Sequence, residues 1–282
     1  MDVHEPAVEA LCSHHGEADP KQLILRLCRE LLNEAPTDAG PSPIVVLGSC
    51  RGIRSVSYAP LADASACSGI LVAEGGGYRV TLDEREPPGR QRRSHAHEIT
   101  HTFFREVSAG PAGPEEEQLC EAGAAELTMP AARMRQFVDG RGAITFSLAN
   151  ECAHEFDVTN DAAARRLVEL SEEPVCYLVA SKMRTTKQAM YGIGRPRLRI
   201  ASWTWSPSWI DQRPYRGLVI EPNSVIERAF LSQDVQVGRG PVGISHRDGT
   251  CDIEAVGYTF TPRGRVRSQV AILLNASNTR GR

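Results

Sequence analysis

The sequence predicts an α+β protein: helices around a small β-sheet, then a helix pair, then a β-rich C-terminal domain. Three observations carry this expectation. Apolar residues recur at helical spacing through much of the first 170 positions. Two β-branched runs, "GILVA" (69–73) and "YRVTL" (78–82), flank the turn "EGGG" and read as a hairpin. Beyond Pro174 the texture changes to short alternating runs. The expected domains are 1–140, a helix-turn-helix-like segment at 141–172, and 173–282.

Asp19-Pro20 reads as an N-cap followed by proline at the first helical position, with Leu23, Ile24, Leu27, Leu31 and Leu32 at helical spacing and Pro36 closing the segment. "PTDAGPSP" (36–43) is a loop and "IVVLGSC" (44–50) a strand. The hairpin follows, then the loop "EREPPGR" (84–90) and a helix over the next positions. "VSAGPAGP" breaks the chain before a helix from about Glu115 to Met129, stopped by Pro130, and a shorter one covers 131–138. Two helices joined by a tight turn are expected at 147–170. "VCYLVA", "RLRIASWTW", "GLVI", "DIEAVGYTF" and "VRSQVAILLN" read as strands, with one helix near 223–232 and a disordered tail "ASNTRGR".

With 282 residues the chain is long enough for a large buried core. It is 41% hydrophobic and 24% charged with a net charge of −3, which does not suit a chain that binds polyanions along its whole surface. No apolar run approaches the ~18–20 residues of a membrane span. The first residues are acidic where a secretory signal would be basic and then apolar. Eight scattered cysteines without a C-x-x-C pair suit reduced thiols, so a cytoplasmic protein is expected. Cys12-Ser13-His14-His15 reads as part of a solvated tail.

The stretch "RQRRSHAHEITHTFFRE" (90–106) contains His97, Glu98 and His101 in the pattern H-E-x-x-H. On a helix, residues 97 and 101 project from one face, one turn apart, so their imidazoles can share a zinc ion. Glu98 then reaches a metal-bound water as general base. Ala96, Ile99 and Phe103 line the opposite side, giving the helix a core face and a site face. His95 points away from that site face. A catalytic zinc needs a third protein ligand. In "EEEQLCEAGAAELTMP", Glu117 and Glu121 share a face, and Gly123 with its neighbouring alanines lets two helices approach closely. Glu117 is the candidate ligand and Glu121 its neighbour one turn on; carboxylates opening a solvated helix would read the same way.

Both stretches, in this order, resemble the signatures of the ImmA/IrrE family of zinc metallopeptidases: Arg-x-Arg, a small hydroxyl residue and Ala before H-E-x-x-H, then a glutamate followed by Ala-Ala-Glu-Leu and Met-Pro. The similarity is strongest over about 69–130. It implies a zincin-like peptidase core in which His97, His101 and Glu117 bind Zn2+ and Glu98 is the catalytic acid/base. Arg93, Thr100, Glu121 and Gly123 depart from the family's usual residues. Because Glu121 is longer than the usual Asn or Asp, Glu117 and Glu121 both stay candidates for the third ligand. The resemblance further implies a protein substrate, a helix-turn-helix transcriptional repressor cut once in response to a stress or signal, and a GAF-like C-terminal domain that senses or holds a partner. The layout suggests that substrate adds as a strand to the hairpin 69–82.

The competing class is an inactive regulatory or nucleic-acid-binding module. Residues 181–217 support it, with Trp203, Trp205 and Trp209 set among lysines and arginines. The helix pair at 147–170 offers DNA only Arg165 and Arg166. Ile200, Trp203 and Trp205 do not share one strand phase, so the sequence alone does not place these rings.

Overall fold

The computed structural model describes residues 5–36, 43–62, 68–108, 110–209, 214–240, 251–260 and 267–276. It divides into two compact units, one drawn from 1–137 with 152–159 and the other from 138–151 with 160–282. The tail and most of the loop at 36–43 lie outside the described residues.

The first unit opens with α1 (Pro6–His15) and α2 (Pro20–Glu34). Asp19 caps α2 as expected, accepting hydrogen bonds from the amides of Lys21 and Gln22. The N-terminal region is not a solvated tail: α1 buries Ala7, Val8 and Leu11, so Cys12 to His15 are the last turn of a packed helix. The expected strand at 44–50 is also a helix, α3 (Ile44–Cys50). Its β-branched start favours a strand locally, but packing decides. Ile44, Leu47 and Gly48 are buried at i, i+3 and i+4 while Val45 is 70% exposed.

Three strands follow: β1 (Ile53–Ala59), β2 (Gly69–Glu74) and β3 (Gly77–Asp83), in the order β1-β3-β2. The hairpin β2–β3 is antiparallel, as its glycine turn predicted. The sequence reading missed β1, whose apolar positions are few; it runs parallel to β3 with a register irregularity between Ile53 and Ser55. Of the two hairpin strands, β3 is therefore central, and among the described residues β2 is the one without a second strand partner. Proline substitutions along 78–82 would disrupt pairing on both sides rather than probe an edge.

Next comes α4 (Pro88–Arg105), which starts within the expected loop because Pro88 suits a first helical position. After it lie α5 (Pro114–Thr128) and α6 (Ala131–Val138). The core joins Leu23, Ile24 and Leu27 of α2 to Ala96, Ile99 and Phe103 of α4, Leu119 and Ala124 of α5, and Val80 and Leu82 of β3. Gly123 brings α4 and α5 together: a Cβ there would lie 2.6 Å from Thr100 Cγ2 and 3.1 Å from Ile24 Cγ2. Thr100 is held by its own bond to the Ala96 carbonyl (3.0 Å). Gly123→Ala is thus expected to destabilise the protein. Overpacking costs about 1–3 kcal/mol and outweighs the roughly 1 kcal/mol gained in helix propensity. A lower urea midpoint is the expected reading, and an unchanged or higher one would show that the helices yield.

The expected helix pair is α7 (Phe146–Phe156) and α8 (Asn160–Leu170), joined through Asp157 at φ 50. In the second unit, β4 (Val175–Met183), the short α9 (Thr186–Met190), β5 (Arg197–Trp205), α10 (Val225–Ser232), β6 (Val235–Gly240), β7 (Cys251–Phe260) and β8 (Arg267–Ala276) follow. Their antiparallel sheet has the order β5-β4-β8-β7-β6. The run 217–220 is not a full strand but makes the single bridge Arg199↔Val219. The unexpected β6 is an edge strand whose Val235 and Val237 stand 51% and 74% exposed, so it lacks a buried alternation.

A bulge explains the tryptophans. Leu178 pairs with Trp203 and Cys176 with Trp205, but Ala180 pairs with Ile200, so Ala201 is the extra residue. All these side chains then meet the core built on Ile226, Ala229 and Phe230 of α10, together with the buried Trp209. On the other side Arg165 bonds to Asp161, Ser202 and Thr204, with its guanidinium over the Tyr177 ring. Arg166 is buried and lies 3.6 Å from Glu169. Both cations of α8 are engaged inside the unit.

Candidate metal centre

α4 and α5 carry the site. The core face of α4 is as the spacing predicted, with Ala96 and Ile99 fully buried and Phe103 nearly so. The opposite face brings His97 and His101 together, their Nε2 atoms 3.1 Å apart. From α5, Glu117 spans the pair: Oε2 lies 3.1 Å from His97 Nε2 and Oε1 3.6 Å from His101 Nε2. Glu121 sits behind His97, with Oε1 3.5 Å from Nδ1 and its other oxygen paired with Arg93. Of the two glutamates, only Glu117 meets both inward-facing nitrogens.

Two residues that the sequence reading left out complete the arrangement. Glu116, fully buried, accepts a hydrogen bond from His101 Nδ1 at 2.7 Å and another from Arg105 at 3.0 Å. A signal for it was present: Arg105 lies one turn beyond His101, a cation placed to hold a buried carboxylate. The second is Cys120, also fully buried, whose Sγ lies within 4.8 Å of ligand atoms of both histidines, which in turn lie within 4.8 Å of each other.

These atoms fit a divalent metal ion. In the tautomer that puts each Nδ1 proton toward its neighbouring carboxylate, two Nε2 lone pairs and the Glu117 oxygens face one point. Such like partial charges repel unless a cation lies among them. Separations of 3.1, 3.1 and 3.6 Å also match the edge of a tetrahedron, roughly 3.3 Å for zinc bonds of ~2.0–2.1 Å. Burial, then the neighbouring His101, pushes the pKa of His97 down and keeps it in the neutral form a metal needs. Burial raises the Glu121 carboxyl, but the Arg93 guanidinium, together with His97 and Arg90, offsets it and leaves a net lowering.

Glu98 is 6% exposed, and burial pushes its pKa up to about 7. It takes a backbone hydrogen bond from Leu71, so the edge of β2 faces this carboxylate. Gly69 makes room there: a Cβ on it would lie 2.8 Å from Glu98 Oε1. His95, as expected, is apart from this cluster, its buried Nε2 turned toward Gly48.

Glu116 fixes which nitrogen of His101 faces inward. Glu116→Gln is therefore expected to lower metal affinity by about 10–100-fold, the usual range for partners that orient a ligand. Chelator competition measures this; an affinity within about twofold of wild type would mean that Glu116 only fills space.

The family model described as Peptidase_M78, IrrE N-terminal-like domain, matches residues 61–168, which include both motifs. No curated protein matches the chain. Residues 61–168 thus match a domain of the peptidase M78 type, which supports an ImmA/IrrE-like metallopeptidase domain in this part of the chain.

Proposed function

We propose that the protein is a zinc-dependent endopeptidase. His97, His101 and Glu117 hold the ion, and Glu98 is the catalytic acid/base. The observation that carries this reading is the meeting of two Nε2 atoms and a carboxylate at 3.1, 3.1 and 3.6 Å. When bound, zinc supplies a Lewis acid for the scissile carbonyl and lowers the pKa of a water molecule. Glu98 would take the proton from the attacking water and return it to the leaving amine. A carboxyl near 7 suits both transfers at neutral pH. Glu116 holds His101 and Glu121 stands behind His97, so both rings keep Nε2 inward. The substrate chain adds along β2, whose edge faces Glu98.

The substrate proposed is a helix-turn-helix transcriptional repressor in the cytoplasm, cut once to relieve repression under stress. What supports it is the family resemblance and the β2 strand beside Glu98. The C-terminal domain is read as GAF-like and as the sensor or substrate holder. Its sheet order, second-first-fifth-fourth-third in chain order within the unit, supports that reading.

The first test is the metal content of purified full-length protein beside a His97→Ala, His101→Ala variant. About one zinc per chain, lost in the variant, is expected for a site with three protein ligands. No metal in either, even after zinc is supplied, would overturn the proposal.

A further inference from the structure

The two donors that α5 brings to the histidines differ in hardness. Glu117 is half-exposed and offers oxygen; Cys120, one turn on, is fully buried and offers sulfur. Oxygen suits hard or borderline ions, whereas thiolate selects thiophilic ones. We propose that Cys120 is a reserve ligand: with a thiophilic divalent ion such as Cd2+, its thiolate joins the two histidines and closes the centre. The inference rests on the metallopeptidase reading above.

The distances allow this. For zinc a tetrahedral nitrogen–sulfur edge is roughly 3.5 Å, from a metal–sulfur bond of ~2.3 Å and a metal–nitrogen bond of ~2.0–2.1 Å, and the larger Cd2+ lengthens that edge. The sulfur, within 4.8 Å of its partners, lies at most roughly 1.3 Å beyond that edge. Rotation about one side-chain bond shifts it by such an amount. The cost is electrostatic. A thiolate at this fully buried position, one turn beyond Glu117, carries uncompensated charge until a strongly thiophilic cation offsets it. Zinc held by two histidines and Glu117 already has the three protein ligands of a catalytic site, so in this proposal the S–H stays intact. With cadmium the S–H bond breaks, a metal–sulfur bond forms, and the proton leaves to solvent. Two histidines, Glu117 and Cys120 then fill four positions. None remains for the water that Glu98 needs, which is the difference between a closed and a catalytic site.

The test uses metal-stripped full-length protein titrated with Cd2+ in a chelator buffer, followed by near-ultraviolet thiolate-to-metal absorption and by total bound metal. Wild type is expected to gain the thiolate band with its first equivalent. Cys120→Ser should lose that band and bind Cd2+ roughly tenfold more weakly, with zinc affinity nearly unchanged. Cys120→Ala should behave likewise, and far-ultraviolet dichroism checks that both variants fold. Cys28→Ser, which alters a neighbouring buried thiol, should keep the band. Cadmium bound without a thiolate band, or a band that persists in both Cys120 variants, would overturn the proposal while leaving the zinc site intact. If cadmium and zinc stoichiometry do not fall in the His97→Ala, His101→Ala variant, the metallopeptidase reading itself fails, and the reserve ligand with it.

Discussion

Glu98→Gln is expected to reduce cleavage of a quenched peptide library by about 10²–10⁴-fold, the usual contribution of a positioned general base, with metal content unchanged. The same variant should be more stable than wild type once metal is removed and the pH is 8. Glu98 is nearly fully buried, and its pKa rises from 4.5 to about 7. The folded protein therefore binds this proton more tightly than the unfolded chain, so stability falls as pH rises from about 4.5 through 7. The displacement corresponds to roughly 3 kcal/mol lost above pH 7. Glutamine has no charge to bury and escapes the loss. Urea denaturation of stripped proteins should show a large gap at pH 8 that mostly closes by pH 5. A gap of equal size at both values would trace the effect to packing. Loss of bound zinc in the variant would place Glu98 among the ligands and remove it as the base.

The site was more legible than the sheet beside it, for a physical reason. The proposed ligands on α4 obey helical spacing, and its apolar face reads from Ala96, Ile99 and Phe103 alone. Glu117 could be matched to the histidines because a helix fixes which residues share a face. The choice between Glu117 and Glu121 needed the facing helix, since both positions project the same way and only the approach of α5 to α4 separates them. Glu116 and Cys120 were hidden for the same reason: a glutamate in the first turn and an isolated cysteine have ordinary local explanations. Strand pairing is not local at all. Nothing in "IRSVSYA" announces a parallel partner for β3, and with β1 unseen β3 looked like half of an isolated hairpin. At Ile44-Val45-Val46, local preference pointed to a strand and burial on α3 reversed it. At Ala201 one extra residue shifted the phase, so a sound reading of alternation left Trp203 and Trp205 without a place.

The geometry around β2 yields the second large effect. Gly69→Ala should leave fold and metal content intact yet lower cleavage about 10²-fold, the penalty for misplacing a catalytic group by around an ångström. The added Cβ would meet Glu98 Oε1 at 2.8 Å and Cγ at 3.1 Å. The nearest of these, Oε1, is the far end of a flexible side chain, and no backbone atom is among the close contacts, so the strain is relieved by moving the Glu98 side chain rather than the backbone. Relief comes at the cost of the position that Glu98 holds through Leu71. Histidine placement is independent of this contact, because Glu116 and Glu121 hold those rings from α5. Shortening the carboxylate discriminates this account from a general loss of structure. Glu98→Asp should impair wild type strongly but cost much less in the Gly69→Ala background, where the missing methylene gives the new methyl its room. Effects that simply multiply would mean that Gly69 acts on catalysis by some route other than Glu98.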